Sequence, residues 1–545
     1  MNVIVIVNDS FRRDHLGCYG NNWIHTPNLD KFAQESIIFD QAYIASYPTV
    51  PNRWDMNTGR FGFPFRGWQP LDQKDVTVAE ILGKYGFTSM LIHDTPMLEM
   101  HEFNYTKGYS AFWWIRGQHS DPFITDPSIS LRLPAEAHKI FRPQNLVNYI
   151  RNQANRHNEE EYPVARSIKA SIEWLETNAN LDKFMLWVDM WDPHEPFDPP
   201  DNDWNLYKNP EYTGDRIIYP VYGRSNYMTQ QELESVQALY AGKVTLVDRW
   251  VGKLFATIEK LGLLKDTLII WTTDHGHLFG EHDLQGKPAG ELGRLYEETT
   301  RIPLIIRHPD GLGAGSHVNG LVQPPDLLPT IIEFLDLPET ENYEGKSLWP
   351  LVNDKDVKAI RNIAISSRFP PMEKDNTPLS SGFLFDGWAT SSRSVDPITL
   401  TTDKWAYICS PIGEQSELYD LENDPGQENN IIDNYSDVSE DFRNQIVKFL
   451  EDHGSTRERI EPFIKTVSDY TVSPNTELWS IRDNEGQIIS FSSEDEARSR
   501  VNWDAPGPKR LIEKTTLRQV FDNNPKNLVH TSSQYYWAQD LLKEN

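Results

Sequence analysis

The chain has 545 residues, of which 38% are hydrophobic and 12% aromatic, and this composition excludes a disordered chain and predicts more than one packed unit. The formal net charge of -28 argues against a broad surface for nucleic acids or anionic membranes, so we expect neither partner. The two cysteines, Cys18 and Cys409, cannot make a disulfide framework and fit a reducing compartment, with a single disulfide left open.

The N-terminal stretch predicts a buried strand over residues 3–7. It has no basic segment before its apolar run, and the run is too short for a signal sequence or a membrane span. No later segment approaches the roughly 18 consecutive apolar residues of a transmembrane helix. We therefore expect a cytoplasmic protein.

Asp9 follows this first strand directly. The carboxyl end of a buried parallel strand is where open α/β sheets build their sites, so Asp9 is a candidate metal ligand. Capping of a helix N-terminus is an equally open interpretation.

The stretch Thr49-Val50-Pro51-Asn52-Arg53 leads into a predicted helical run over residues 54–59. Thr49 could attack an ester centre, and Arg53, four residues on, would return on the same helical face to hold the anionic oxygens. Taken alone, the motif favours a proline-punctuated loop in which Thr49 is a cap. The rest of the chain must decide between these interpretations.

The next elements are a helix over residues 77–85 and a buried strand over residues 87–92 that ends at His93 and Thr95. A single histidine at a strand end is more typical of a structural role. Residues 98–165 are rich in aromatic residues and proline without a clear period, and we predict an insertion over the mouth of the sheet, where substrate selectivity often lies.

A strand over residues 184–188 precedes Pro193-His194-Glu195-Pro196, in which the two prolines fix the loop that carries His194. A long helix over residues 231–260 and a strand over residues 267–271 follow. That strand leads to Asp274-His275-Gly276, a typical pair of metal ligands. Lys287 adds a cation that could neutralise a transferred anion or assist a leaving group, or it is a solvated surface lysine.

Further short motifs follow one another along residues 1–435. They are Asn8-Asp9, Asp14-His15-Leu16-Gly17-Cys18-Tyr19-Gly20, Thr26-Pro27-Asn28-Leu29-Asp30, Thr58-Gly59-Arg60, Gly280-Glu281-His282, Gly286-Lys287, Arg301-Ile302-Pro303-Leu304-Ile305-Ile306-Arg307, Asp326-Leu327-Leu328-Pro329-Thr330, Gly345-Lys346-Ser347-Leu348 and Glu417-Leu418-Tyr419-Asp420-Leu421. With these motifs the chain resembles the sulfatase and phosphonate monoester hydrolase group of the alkaline phosphatase superfamily.

The resemblance implies an α/β fold with a large, mixed, mostly parallel sheet sandwiched by helices. It also implies a smaller C-terminal subdomain with an antiparallel sheet that includes residues 404–409. We predict a catalytic domain over residues 1–365, an α+β subdomain over residues 366–465 and an extension over residues 466–545. In this family such tails often join subunits, so we expect a homo-oligomer, a dimer or a tetramer.

Within the extension and just before it, two helices are predicted from the residue pattern. Residues 436–465 read as one charged helix, and residues 533–543 read as a second helix that closes the chain.

The resemblance implies one divalent metal ion, Mn, Zn or Ca. Its ligands would be Asp9, Asp274, His275 and the nucleophile Thr49, with Asn8 as a possible fifth. A second metal would need more ligands, to which Asp189 and His194 could contribute, and we predict one metal.

Arg53, His194 and Lys287 fall where the family binds the transferred group and assists the leaving group. His93 and Thr95 stand where many sulfatases have a Lys-x-His pair, and we assign both, with His282, to substrate binding. The Asp-His pair and the residues at 93 and 95 are more similar to the phosphonate hydrolase branch than to the typical sulfatases.

Thr49 departs from the family pattern, which has Cys or Ser there for oxidation to formylglycine. Threonine cannot become that aldehyde, and Asn52 replaces the small residue of the maturation signal, so no formylglycine is expected. Thr49 would instead act as an alkoxide, as in the nucleotide pyrophosphatase/phosphodiesterase branch. A phospho-threonine can be cleared by water attacking phosphorus, whereas a sulfo-enzyme without the aldehyde exit is harder to clear.

We therefore predict a metal-dependent hydrolase of phosphate diesters, phosphate monoesters or phosphonate esters, acting on a small anionic ester. His194 or Lys287 would protonate the leaving oxygen. One alternative is a sulfate ester hydrolase that uses Thr49 directly. A second alternative is an inactive, ligand-binding relative.

Overall fold

A computed structural model of the chain describes residues 1–339, 343–354, 356–370, 396–411, 415–464, 477–482, 488–491, 512–523, 528–531 and 534–537. Among the helices in these ranges, none combines the length and the apolar composition that a bilayer crossing requires. Cys18 and Cys409 are both free thiols.

The largest element of the fold is an eight-stranded sheet. Its strands are β1 (Asn2–Asn8), β2 (Ile37–Tyr43), β3 (Thr88–His93), β4 (Ala111–Trp114), β5 (Phe184–Met190), β6 (Thr267–Thr273), β7 (Arg301–Arg307) and β8 (Ser316–Val318).

The strand order in this sheet is β8-β2-β7-β6-β1-β5-β3-β4. All neighbours pair in parallel except β7, which runs antiparallel to both β2 and β6. The predicted mixed, mostly parallel sheet is therefore confirmed. The predicted strands within β1, β3, β5 and β6 differ from the observed bounds only at their ends.

Helices cover both faces of this sheet, so a central strand such as β1 is buried on both sides. Its alternate residues Ile4 and Ile6 join one apolar core, and Val3, Val5 and Val7 join the other, because successive side chains of a strand point to opposite faces. Within the described ranges, the α-helices of four or more residues are Pro27–Gln34, Thr49–Thr58, Val78–Lys84, Pro143–Gln153, Pro163–Asn178, Asp201–Trp204, Gln230–Lys260, Glu297–Thr300, Leu327–Phe334, Trp349–Asn353, Ser436–Asp452, Arg457–Ile464 and Leu517–Asn523.

A second, five-stranded sheet lies beside the large one. Its strand order is Glu417–Asp420, Trp405–Cys409, Ile398–Thr401, Ala364–Arg368 and Ser46–Tyr47. The first three pairings are antiparallel, as predicted for the smaller sheet, and the last is parallel.

The strand Ser46–Tyr47 ties the smaller sheet to the predicted nucleophile, because the helix that begins at Thr49 follows it. Its partner, Ala364–Arg368, spans the predicted boundary between residues 365 and 366. The domain limits remain a prediction.

Two predicted helices differ from the structure. The single charged helix over residues 436–465 is two helices, Ser436–Asp452 and Arg457–Ile464, because Gly454 turns the chain with a φ of 72°. In the predicted helix over residues 533–543, Gln534–Trp537 is a strand that pairs with Leu528–Thr531, and the remaining positions lie outside the described residues. The aromatic residues of this segment suit a strand.

Asp55 joins the helix Thr49–Thr58 to the smaller sheet. Its Oδ2 accepts a hydrogen bond from Ser46 N at 2.7 Å, and its Oδ1 accepts from Ser46 Oγ and from Gly62 N, both at 2.9 Å. The carboxylate is buried, so these donors have no water to replace it.

The substitution Asp55→Asn should lower the free energy of unfolding by about 1–3 kcal/mol, because one of the two acceptor oxygens becomes an NH₂ group. Urea unfolding followed by fluorescence would measure the change. The matched control is Asp182→Asn at an exposed position before β5, which should stay within about 0.5 kcal/mol of the wild type. Equal unfolding midpoints for the two variants would contradict this role of Asp55.

Candidate active site

Two acidic residues meet at the carboxyl edge of the large sheet. Strands β1 and β6 are parallel neighbours in which Asn8 pairs with Thr273, so the next residues, Asp9 and Asp274, emerge side by side. The backbone N–H of Ser10 donates to Asp274 Oδ1 at 2.9 Å, which fixes the two loops to each other. Both carboxylates are fully buried.

His275 completes this cluster. Its Nδ1 lies 2.9 Å from the carbonyl oxygen of Gly276, so Nδ1 carries the proton and Nε2 is turned toward the carboxylates. Nε2 lies 3.3 Å from Asp274 Oδ2 and 3.9 Å from Asp9 Oδ1. One donor atom from each of Asp9, Asp274 and His275 lies within 4.8 Å of the others.

The cluster fits a divalent cation. Among the described residues, Asp9 Oδ2 and His275 Nε2 are buried atoms that form no hydrogen bond. Burial, together with the charge of Asp274, raises the pKa of Asp9, and burial lowers the pKa of His275 to about 3, so the imidazole is a neutral donor. Among the predicted metals, the carboxylate oxygens suit Mn and Ca, and the imidazole nitrogen suits Zn.

Thr49 is the first residue of the helix Thr49–Thr58, and the helix start is held against the cluster. The side-chain amide of Asn52 donates to the backbone oxygen of Asp274 at 2.8 Å, and the ring of Tyr47 packs on His275 with 4.9 Å between centroids. The Thr49 hydroxyl forms no hydrogen bond to any residue in the described ranges.

Arg53 lies one helical turn after Thr49 and is fully buried among three carboxylates. Its Nε and one terminal nitrogen donate to the two oxygens of Asp189, at 3.1 and 3.0 Å. The other terminal nitrogen contacts Asp274 Oδ2 and lies 3.1 Å from Asp9 Oδ2. Although burial alone would lower the pKa of Arg53, these carboxylates raise it above its usual value, so the guanidinium stays charged.

Lys287 and His194 are held near each other by Glu195. Lys287 Nζ lies 2.7 Å from Glu195 Oε2, and His194 Nδ1 lies 2.9 Å from the same oxygen. Both side chains are buried and line the pocket that also contains Thr49.

This pocket holds about 550 Å³ of unfilled space, counted out to its open mouth. Its wall is mostly apolar and aromatic. Besides Thr49, His194 and Lys287 the lining residues are Pro48, Trp68, Met97, His119, Phe141, Arg142, Asn145, Trp191, Tyr219 and Tyr222. Four of these belong to the segment over residues 98–165, for which an insertion over the site is predicted.

Four predicted site residues lie elsewhere. The Asn8 amide donates to the backbone oxygen of Asp192 and its oxygen accepts from the Trp271 indole, so both ends are in use. Thr95 donates to Asp189 at 2.8 Å, and His93 Nδ1 bonds the carbonyl oxygen of Thr95. His282 stacks on Tyr296 at 3.6 Å. None of these four side chains is among the residues that line the pocket, and their roles as metal ligand or substrate contacts stay predictions.

The sequence did not predict the observed contacts of three buried residues at the site, Asp189, Glu195 and Ser10. Asp189 does not join the metal cluster, because both its oxygens bind Arg53. Glu195 was visible only as part of the Pro-His-Glu-Pro motif, and Ser10 had no signal. The Ser10 hydroxyl bonds Asp9 Oδ1 at 2.8 Å. Asp189 follows the strand-end rule that selected Asp9, since it lies near the end of β5.

Comparisons with known proteins identify the family of the chain. The Sulfatase family model matches residues 1–337. N-acetylglucosamine-6-O-sulfatase of Bacteroides thetaiotaomicron is 25% identical over 412 residues, which cover 65% of this chain and 71% of that protein. Arylsulfatase K of Homo sapiens is 23% identical over 474 residues, 80% of each chain.

Among solved structures, the phosphonate monoester hydrolase of Agrobacterium radiobacter superposes with a TM-score of 0.65 at 21% identity. The match covers 83% of this chain and 96% of that chain. At this identity the likeness shows a shared fold.

The strand-end cluster, the helix with Thr49 and the aromatic pocket thus lie in a fold of the alkaline phosphatase superfamily, in its group of sulfatases and phosphonate monoester hydrolases. The chain belongs to the sulfatase family, and it is a hydrolase that acts on ester bonds. The predicted family is confirmed.

His93 should make the protein acid-sensitive. Burial lowers its pKa from 6.5 to about 4, although the nearby Asp189 opposes this. As the pH falls below 6.5, His93 takes up a proton in the unfolded chain but not yet in the folded protein, which favours the unfolded chain. The folded protein therefore loses stability as the pH falls from 6.5 toward 4. By pH 5 the loss is about 2 kcal/mol.

The variant His93→Gln should therefore lose about 2 kcal/mol less unfolding free energy between pH 7 and pH 5 than the wild type, measured by urea unfolding at both pH values. His138→Gln, at a position that is 65% exposed, is the matched control and should follow the wild type. An equally steep loss in His93→Gln and the wild type would rule out this contribution.

Proposed function

We propose that this chain is a metal-dependent hydrolase of phosphate diesters, phosphate monoesters or phosphonate esters, with Thr49 as the nucleophile. One observation carries the proposal. Thr49 lines the same pocket as His194 and Lys287, on a helix whose next turn places Arg53 against both carboxylates of the Asp9, Asp274 and His275 cluster.

Asp9, Asp274 and His275 would hold one divalent cation, with the Thr49 hydroxyl as a further donor. Such a cation supplies positive charge that lowers the pKa of a neighbouring hydroxyl and stabilises anionic oxygens. Arg53 adds a fixed charge for the oxygens of the transferred group. The aromatic wall of the pocket would receive the alcohol part of a small anionic ester, and its walls exclude water from that part.

Thr49 supports phosphoryl or phosphonyl transfer over sulfuryl transfer. A hydrated formylglycine can expel sulfate by breaking its own C–O bond, and threonine has no such exit. A phosphoryl group on Thr49 can leave by attack of water at phosphorus, and the charge of Arg53 would stabilise that step as well.

Sulfate ester hydrolysis with unmodified Thr49 is the second candidate. The curated relatives favour it, because N-acetylglucosamine-6-O-sulfatase and arylsulfatase K carry sulfatase names. An inactive, ligand-binding relative is the remaining alternative, and the charged residues kept together at the site speak against it.

A panel of 4-nitrophenyl esters tests the proposal on the purified protein with Mn, Zn or Ca. We expect turnover of a phosphate diester, a phosphate monoester or a phenylphosphonate ester to exceed turnover of the sulfate. If the sulfate alone is hydrolysed, the second candidate replaces the first. If no ester is hydrolysed and Thr49→Val binds the same esters as well as the wild type does, the protein is a binding relative.

Thr49→Val should lower kcat by about 10³-fold or more, because it removes the hydroxyl and keeps the side-chain shape. Thr49→Ser is the matched control that keeps a hydroxyl, and it should retain measurable activity. Activity of Thr49→Val close to that of the wild type would exclude Thr49 as the nucleophile.

Metal binding can be tested without activity. Titration of the chelator-treated protein with Mn, Zn or Ca, followed by calorimetry, should show one site, and binding should stabilise the fold against heat. Asp274→Asn should weaken this binding by about 10-fold or more, whereas the exposed Asp182→Asn should not change it. Equal affinities in the two variants would remove Asp274 from the metal site.

Two further expectations stay proposals. We propose a dimer or a tetramer in a cytoplasmic setting, with no nucleic-acid or membrane partner. Sedimentation of the purified protein at micromolar concentration decides the oligomeric state, and a monomer would contradict it.

A further inference from the structure

Glu195 lies at the centre of a network behind the pocket wall. Its carboxylate is fully buried, with Oε2 shared by Lys287 Nζ at 2.7 Å and His194 Nδ1 at 2.9 Å. Its Oε1 accepts a hydrogen bond from the Tyr222 hydroxyl at 2.6 Å. Lys287, His194 and Tyr222 all line the pocket, whereas Glu195 does not.

We propose that Glu195 is a positioning residue that gives the two pocket bases different tasks, with Lys287 as the proton donor to the leaving oxygen and His194 as the proton acceptor. The inference rests on the proposed function, since it concerns the same reaction at Thr49. It separates two residues that the sequence leaves as equal candidates for leaving-group protonation.

His194 becomes an acceptor because of what its Nδ1 faces. Both neighbours of Nδ1 are acceptors, namely the Glu195 carboxylate and the Glu195 backbone oxygen at 2.7 Å. The proton of a neutral ring therefore sits on Nδ1, and Nε2 is left with its lone pair for the pocket. Burial lowers the pKa of His194 despite the facing carboxylate, which keeps the ring neutral.

Lys287 is placed as a donor by its own contacts. Its ammonium group faces Glu195 Oε2 at 2.7 Å, His277 Nδ1 at 3.2 Å and Ser10 Oγ at 3.4 Å, and it lies 5.2 Å from the centroid of the Tyr222 ring. The bond to Ser10 is the longest of these three hydrogen bonds and is therefore the easiest to give up. During the reaction, the oxygen of the leaving alcohol would replace Ser10 Oγ as the acceptor. The ion pair with Glu195 fixes the position of the ammonium group at the pocket wall.

The proton transfers balance over two steps. In the first step Thr49 Oγ bonds to phosphorus and gives its proton to His194 Nε2, while the bond from phosphorus to the alcohol breaks and that oxygen takes a proton from Lys287. In the second step water bonds to phosphorus and gives a proton to Lys287. The bond from phosphorus to Thr49 Oγ then breaks, and Oγ takes its proton back from His194.

Leaving-group acidity tests this division of tasks. Each variant is assayed with a 4-nitrophenyl ester and a phenyl ester of the acid that the wild type hydrolyses best. Nitrophenolate leaves without a proton, whereas phenolate needs one, so loss of the donor affects the phenyl ester far more. We expect Glu195→Gln to lower kcat/KM by about 100-fold for the phenyl ester and by less than about 10-fold for the nitrophenyl ester.

Two variants keep the test decisive if Glu195→Gln folds poorly. Lys287→Gln should show the same difference between the two esters, because it removes the donor itself. His194→Gln should slow both esters by the same factor. Glu281→Gln is the matched control, since it neutralises another partly buried carboxylate, one bound to Arg12, and should leave the ratio of the two esters as in the wild type.

Turnover by the wild type decides the proposed function, and the ratio of the two esters decides the role of Glu195. Equal slowing of both esters in Glu195→Gln and in Lys287→Gln would overturn the inference even in an active enzyme. So would a selective loss of the phenyl ester in His194→Gln. A wild type that hydrolyses no ester overturns the proposed function and this inference together.

Discussion

The ion cluster around Arg53 is the interaction on which the rest of the site depends. Three fully buried carboxylates, those of Asp9, Asp189 and Asp274, converge on one guanidinium. Buried charges of one sign are costly unless a partner of the other sign is held among them. Arg53 is that partner, and Asp189 grips it with two hydrogen bonds. The remaining carboxylates face Arg53 and are the ones that would bind a metal.

Residues that follow strands of both sheets form the candidate site. The parallel strands of the large sheet end at one edge and deliver Asp9, Asp189 and Asp274 there. The edge strand Ser46–Tyr47 of the smaller sheet leads into the helix that begins at Thr49. The candidate site therefore combines residues that follow strands of both sheets, and Asp55 joins the helix of Thr49 to the smaller sheet.

Much of the fold and part of the site could be predicted from the sequence. Apolar runs predicted the strands, and the strand ends marked Asp9 and the pair Asp274-His275 as candidate ligands. The mostly parallel sheet and the grouping of these residues around one metal came from the family resemblance. The spacing of Thr49 and Arg53 fitted one helical turn, which the structure has.

The rest depended on tertiary contacts that no local pattern encodes. His93 and Thr95 lie at a strand end, as Asp9 does. Their side chains, however, form hydrogen bonds to protein groups, His93 to the backbone oxygen of Thr95 and Thr95 to Asp189. Glu195 owes its importance to Lys287, which lies 92 residues away in the chain. Gly454 was a readable signal, since glycine often ends a helix, and it was outweighed by the charged pattern around it.

The central claim is that Thr49 carries the transferred group during turnover. The most direct measurement is acid quenching of the wild-type protein during hydrolysis of a slow phosphate ester, followed by intact mass and peptide mapping. The account predicts a fraction of protein heavier by one phosphoryl group, with the modification on Thr49. An unmodified Thr49 in protein that is turning over the ester, with the added group on another residue, would contradict it.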